Sequence, residues 1–470
     1  MISRRKFLWQ TGVLLTSSTV DFLAFQNRAS ASQLTQFNTL PVAQGYGDLT
    51  PIAAENTGEL FLALPKGFIY KAFGKEGSVM SDGHKTPPLH DGMACFKVGN
   101  ELRLIRNHEV SNERVPKLGS AIGPNAYDDA VAGGTTTLIV NPKSRELIKD
   151  FVSLSGTLNN CAGGRTPWGS WISCEETTLG QSIRMDADGK LTGGYAKPHG
   201  YCYEVSAKTN GTVPVVPLKA MGRFKHEAVA VDKNTGNLYL TEDADKAGFY
   251  RFIPKQKKHL SKGGVLQMLK VIDHDAFDTR KGLSIGQKFK VTWVTIDNPD
   301  PIEADDDDSA VYKQGLAKGA ATFTRLEGAY ADHQGHIYFV STNGGDQLAG
   351  QIWRYEHKNK TEGSLRLVFE SPDRQLLDMP DNICFKPNSE LLFICEDSDY
   401  KGLAGVSENY LRILMPNGKI ADFAKNVTAG FESSEFTGST FSEDGKTLFV
   451  NLQAVGVTLA IWGDWQNFKE

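Results

Sequence analysis

Short apolar bursts of four to eight residues, rich in β-branched and aromatic side chains and bounded by Gly, Asn, Asp or Pro, run along most of this chain. They include Leu102–Arg106, Thr136–Val140, Leu238–Thr241, Phe249–Ile253, Ile337–Val340, Leu391–Ile394 and Thr447–Asn451. Such segments read as strands, and turn signals such as Asn234-Thr-Gly236 and Asp444-Gly445 separate them. One amphipathic helix is predicted, near Ser309–Lys318. Six units repeat a common pattern, in which a polar or acidic opening, a Gly-bearing turn and an apolar strand lead to a polar or acidic end. The clearest are His226–Asp243, Glu327–Asn343 and Asp381–Asp397; looser copies are Asp91–Glu109, Asn160–Glu176 and Thr437–Gln453. Repeats at blade-sized spacing predict an all-β, six-bladed β-propeller. In that architecture the equivalent strand ends converge on one central mouth, which here would carry Glu, Asp, Asn, His and Cys.

The spacing stretches between the third and fourth units, so residues 255–320 are expected as an inserted loop or cap. Asp305–Asp308 within it reads as a solvated acidic loop, because four consecutive acids lack the spaced ligands of a calcium loop. Residues 32 to about 60 lack periodicity and read as an irregular N-terminal arm. The rest of 32–470 is expected as one propeller domain.

Residues 1–31 read differently. Arg4-Arg5-Lys6 precedes a modest apolar run to Phe25 and an Ala29-Ser30-Ala31 cleavage pattern, which is the form of a twin-arginine signal peptide. Gln10 and Asp21 interrupt the run, so no stable membrane span is expected. An exported, periplasmic or extracellular protein follows, with the Tat export machinery as a partner. The signal carries a net +3, which leaves −7 on the remainder of a chain whose net charge is −4. That balance argues against nucleic-acid binding through bulk charge, and an anionic substrate would need local cations. The six cysteines match no small disulfide framework, and their pairing is not legible.

The unit ends carry the candidate chemistry. Cys174-Glu175-Glu176 follows the strand Trp171–Ser173; alternation puts Cys174 and Glu176 on one face and Glu175 on the other, loosened at the strand end. A thiolate beside carboxylates suits a transition metal such as iron. His226-Glu227, Arg325-Leu326-Glu327 and Asp381-Asn382 open units; Asn107-His108-Glu109 and Glu396-Asp397 close them. Carboxylates meeting at one register would repel, and bound cations such as Ca²⁺ would relieve the repulsion. Arg325, two residues before Glu327, is a candidate fork for an anion such as phosphate, or a counter-ion to the acids.

With these residues the chain resembles the PhoX family of bacterial alkaline phosphatases. The similarity lies in the twin-arginine leader, Thr166–Glu176 (TPWGSWISCEE), Gly222–Ala228 (GRFKHEA), Thr324–Tyr330 (TRLEGAY), Asn107–Glu109 and Pro380–Asn382. The resemblance implies a six-bladed propeller holding two iron ions and several calcium ions in its channel mouth. It implies Cys174 as thiolate ligand to iron, Glu227 and Glu327 as carboxylate ligands, and Arg325 as the phosphate-binding residue. Glu109, Glu175, Asp381 and Glu396 become candidates for the calcium shell. The implied activity is hydrolysis of phosphate monoesters, serving phosphate acquisition, by metal-bound oxide or hydroxide with Arg325 assisting, in a protein expected as a monomer. Two other classes fit the repeat: a calcium-dependent propeller lactonase or esterase, which needs no thiolate, and a non-catalytic secreted binding propeller.

Overall fold

A computed structural model describes residues 42–111, 121–185, 189–398, 400, 401, 405 and 407–469. The signal-peptide reading of residues 1–31 lies outside them. Residues 42–470 form one compact unit, and its described elements are almost entirely antiparallel β-structure.

The first strands serve sheets completed much later. β1 (Leu49–Ala53) and β2 (Leu60–Pro65) extend one sheet, and β3 (Phe68–Phe73) pairs with the last strand of another. β4 (His90–Val98), β5 (Glu101–His108), β6 (Gly133–Val140) and β7 (Leu147–Thr157) then make a four-stranded sheet. A three-stranded sheet follows from β8 (Asn160–Arg165), β9 (Ser170–Glu175) and β12 (Cys202–Ser206), interrupted by a hairpin of β10 (Ile183–Met185) and β11 (Leu191–Gly193). β13 (His226–Val231), β14 (Leu238–Glu242), β15 (Phe249–Pro254), β16 (Gly264–Val271) and β17 (Lys288–Thr295) form a run. It meets the antiparallel set β18 (Leu326–Ala331), β19 (Ile337–Ser341), β20 (Gln351–His357) and β21 (Gly363–Glu370) through a β17–β21 pairing, giving one nine-stranded sheet. β22 (Pro380–Phe385), β23 (Leu392–Glu396), β24 (Tyr410–Leu414) and β25 (Ile420–Asn426) take β2 and β1 on their outer edge. β26 (Phe436–Phe441), β27 (Leu448–Leu452) and β28 (Val457–Gly463) end on β3, paired from Thr458↔Phe73 to Gly463↔Phe68. This last pairing ties the start of the domain to its end and protects an edge that would otherwise stay open.

The first strands of the six units, β4, β8, β13, β18, β22 and β26, touch one another in that cyclic order, and β26 returns to β4. The arrangement is propeller-like. Small residues allow the close approach. A Cβ on Gly164 would lie 1.7 Å from the Val229 carbonyl oxygen, and one on Gly328 would lie 2.4 Å from that of Asp381. Apolar faces of neighbouring sheets fill the spaces between, as where Phe61, Tyr70, Phe393, Phe423 and Trp465 meet. Each such side chain contributes about 1.5–3 kcal/mol by leaving water.

Three expectations are corrected. Within 255–320, Gly264–Val271 and Lys288–Thr295 are sheet strands. Only short 3₁₀ turns, loops and the helix Ala310–Leu316 depart from the sheet there. Gln267 and Lys270 are half-buried and Lys290 is exposed, and these polar residues dilute the apolar signal of those strands. The N-terminal arm contains the strand Leu49–Ala53, which is largely exposed; Pro51 is tolerated because β1 is an edge strand. The acidic run is also less solvated than expected. Asp305 is buried and paired with Arg223, Asp307 is held by Lys313, and Asp308 by Lys225 at 2.8 Å.

Candidate metal centre

The six ring strands share one local construction. Five pair normally at their first residue and slip register before the fourth, at His90/Met93, Asn160/Gly163, His226/Val229, Leu326/Ala329 and Pro380/Ile383, and the sixth slips one residue later, at Thr437/Thr440. This is a bulge near the start of every unit, a device that re-aims side chains. The residue before the strand is clamped as well. The backbone N–H groups of Glu109, Glu176, Asp243, Thr342, Asp397 and Gln453 donate to the carbonyls of Leu89, Asn159, Lys225, Arg325, Met379 and Glu435, respectively. Four of these six carbonyl-bearing residues, Leu89, Asn159, Arg325 and Met379, hold positive φ between 40° and 53°, a costly conformation that persists only where the surroundings impose it.

Two sets of equivalent positions result. The second residues of the ring strands are Asp91, Cys161, Glu227, Glu327, Asp381 and Thr437. The residues just beyond the second strands are Glu109, Glu176, Asp243, Thr342, Asp397 and Gln453. Ligand atoms of Glu227, Glu327 and Asp381 all lie within 4.8 Å of one another, and so do those of Cys161, Glu176 and Glu227. Glu227 belongs to both groups. Gln453 joins the two sets, its Nε2 donating to Asp91 Oδ2 at 3.0 Å and to Glu109 Oε2 at 2.9 Å. Asn159 donates to Glu109 and to Glu176.

The electrostatics follow from this crowding. Burial, then Glu327, Glu176 and Asp381, push the Glu227 carboxyl well above its ordinary range. Burial and neighbouring acids do the same to Glu327 and Asp381. The Cys161 thiol is raised by burial and by Glu227; its Sγ lies 3.2 Å from the His226 carbonyl oxygen. His226 itself is held neutral by burial, its pKa lowered to about 4. Arg325 answers part of the negative charge. Its Nε and Nη2 bind Asp243 bidentately at 2.9 and 3.0 Å, and Nη2 also reaches Glu327 Oε1 at 2.8 Å. Burial works against ionisation of Asp243, but Arg325 overcomes it and holds the carboxyl below its usual range. Like-charged buried carboxylates at this spacing fit bound cations. Glu227, Glu327 and Asp381 offer oxygen alone, the set for a hard cation. Cys161, Glu176 and Glu227 add sulfur, the set for a transition metal.

The residues expected from the sequence separate accordingly. Glu227, Glu327, Asp381, Glu109 and Arg325 stand at the mouth. Cys174 lies in neither cluster. It is fully buried in the core between two sheets, its Sγ 3.6 Å from that of Cys202. It shares the face of Glu176 but sits two residues, or about 7 Å, deeper along the strand. Glu175 and Glu396 each miss the mouth by one residue, which turns them to the opposite face. Glu175 accepts from the backbone N–H groups of Leu158, Gly200 and Tyr201 and pairs with His199 Nδ1 at 2.7 Å. Glu396 accepts from the N–H groups of Asp378 and Tyr410 and from Arg412, and burial raises its pKa to about 7. Cys161, Glu176, Asp91 and Asp243 enter instead. Aligning the six unit openings at their second residue would have found Asp91 and Cys161.

Fold and site together define an all-β, propeller-like protein with acid- and thiol-bearing clusters, candidates for holding metal, where the unit openings converge. Residues 47–456 match the family model for alkaline phosphatase PhoX, and the chain belongs to that family. Comparison with curated proteins gives no match. Among solved structures, a gluconolactonase of Xanthomonas campestris aligns at 10% identity and a TM-score of 0.40, over 90% of this chain and 97% of its own. A protein of unknown function from Dyadobacter fermentans aligns at 10% identity and 0.44, over 85% and 100%.

Proposed function

We propose that this chain is a metal-dependent phosphomonoesterase built on a six-bladed propeller, with its centre at the mouth of the ring. The observation that carries the reading is the coincidence of the family with the two overlapping clusters around Glu227. Cys161, Glu176 and Glu227 would hold a transition metal such as iron. Glu227, Glu327 and Asp381 would hold a harder cation such as calcium, with Asp91 and Glu109 alongside. Bound ions would polarise the phosphoryl oxygens and offset the charge that develops during transfer to water.

The protein's own groups supply orientation. Asp243 and Glu327 fix the Arg325 guanidinium from one side. Its Nη1 N–H groups make no hydrogen bond among the described residues, and its side chain keeps 22% exposure. Those N–H groups are the donors available to a phosphate oxygen. Together with bound cations, these donors would offer the local positive charge that an anion needs at a chain of net charge −4. A thiol in the cluster weighs against the calcium lactonase reading, whose site needs oxygen ligands alone. Residues 1–31 would direct export by the twin-arginine route to the periplasm or beyond.

Elemental analysis of purified protein, paired with hydrolysis of p-nitrophenyl phosphate before and after chelation, tests the reading. Bound iron with calcium and chelator-sensitive hydrolysis are expected. A metal-free protein, or hydrolysis untouched by chelation, would overturn it.

A further inference from the structure

Cys174 and Cys202 stand directly opposite each other on β9 and β12. The neighbouring pair, Glu175 and Tyr201, is joined by a backbone hydrogen bond from Glu175 N to Tyr201 O at 3.0 Å. In an antiparallel ladder bonded and non-bonded pairs alternate, so Cys174 and Cys202 occupy a non-bonded pair, where backbones and side chains approach most closely. That spacing falls within the range a disulfide spans. The two Sγ atoms already lie 3.6 Å apart. Both side chains are fully buried, and theirs is the one thiol–thiol pair within hydrogen-bonding distance among the described residues.

We propose that Cys174 and Cys202 are a disulfide-forming pair, closed when the chain folds in the presence of a disulfide oxidant, and that Cys161 stays a free thiol. Two S–H bonds break, one S–S bond forms, two protons leave, and two electrons pass to the oxidant. With a glutathione disulfide as oxidant, its S–S bond accepts the electrons and two glutathione thiols result. Because both sulfurs are sealed from solvent in the folded protein, closure belongs to folding, before the sheets pack over them. The bond would staple β12 to β9, whose continuation carries Glu176.

Closure also has a consequence for the mouth. Cys202 Sγ lies 3.4 Å from His226 Nδ1, while His226 Nε2 lies 3.0 Å from the Gly222 carbonyl oxygen and donates to it. The thiol is therefore the donor that satisfies Nδ1. In the disulfide that donor is lost, next to Glu227. The redox state of the pair would thus bear on the orientation of His226-Glu227 at the entry of β13.

The proposal is independent of phosphatase activity, and so is its test. The full-length chain is reduced, unfolded, and refolded in a glutathione redox buffer with the metals present. Titration in denaturant should show the thiol count falling from six to four. Non-reducing tryptic mapping should link Thr166–Arg184 to Leu191–Lys208, and reduction should separate them. In Cys202→Ser, the five remaining thiols should all titrate. Six free thiols in the refolded wild type, or links through other cysteines, would overturn the assignment.

Discussion

Replacing Glu227 by Gln should stabilise the metal-free protein and destabilise the metal-loaded one. Ligand atoms of Glu227, Glu327 and Asp381 lie within 4.8 Å of one another. At an effective dielectric of about 20, two unit charges at that distance repel by roughly 3 kcal/mol. Glu227 takes part in two of the three pairs. Without metal the cluster can shed repulsion by keeping a proton, which at pH 8 costs a carboxyl of ordinary pKa about 5 kcal/mol. Gln removes a strain of that order while keeping shape and one oxygen. At roughly 2.1 cal/mol/K per residue, a domain of this size gains about 1 °C in Tm per kcal/mol. The chelated variant should therefore melt a few degrees above chelated wild type. With metal bound, the lost charge is a lost ligand and the order should reverse. The sign of the pH dependence follows from the raised Glu227 carboxyl. A carboxyl raised on folding costs stability as pH climbs past its unfolded value, so the gain should vanish near pH 4 and grow toward pH 8. Scanning calorimetry with and without chelator, at both pH values, measures all four states. A Tm that falls in both metal states at pH 8 would refute the reasoning.

Three further outcomes are expected. Arg325→Ala should lower kcat/KM for an aryl phosphate by about 10²–10³, the loss typical of one preorganised donor, and Arg325→Lys should not restore it, since an ammonium cannot hold Asp243 by two edges while offering a third; wild-type kinetics in either variant contradict the role. Cys161→Ser should reduce bound transition metal on elemental analysis, whereas Cys174→Ser should leave metal content near wild type; the reverse order would return Cys174 to the site. Burial alone would lower the pKa of His199, but Glu175 and Asp128 raise it to about 9. Its charge therefore contributes up to about 3 kcal/mol, present below pH 6.5 and lost as pH rises through 9. His199→Gln should show a flatter fall in Tm between pH 7 and 10 than wild type, and parallel curves would count against the buried His199–Glu175 pair.

Much of the site was legible because acids cannot gather at one register without consequence. Glu227, Glu327 and Asp381 could be named from their places in the unit openings, and Arg325 from its spacing to Glu327. Cys174 was drawn in by Glu175-Glu176 beside it, although the thiol of the cluster belongs to Cys161. The difference is one of strand parity and depth. In a strand, a shift of one residue reverses the face and a shift of two moves the side chain about 7 Å. Nothing in the string CEE states where the strand stops or which face looks inward.

The sequence by itself determined the strands, their repetition, and the kinds of atom that would meet, because apolar periodicity and side-chain chemistry are local properties. The tertiary structure decided which of those atoms meet. The bulge near the start of each ring strand, the positive φ at Leu89, Asn159, Arg325 and Met379, and the hydrogen bonds that clamp them depend on packing between units far apart in the chain. Those long-range contacts turn Glu176 toward the mouth and Glu175 into the protein, and they seat Cys161, not Cys174, beside Glu227.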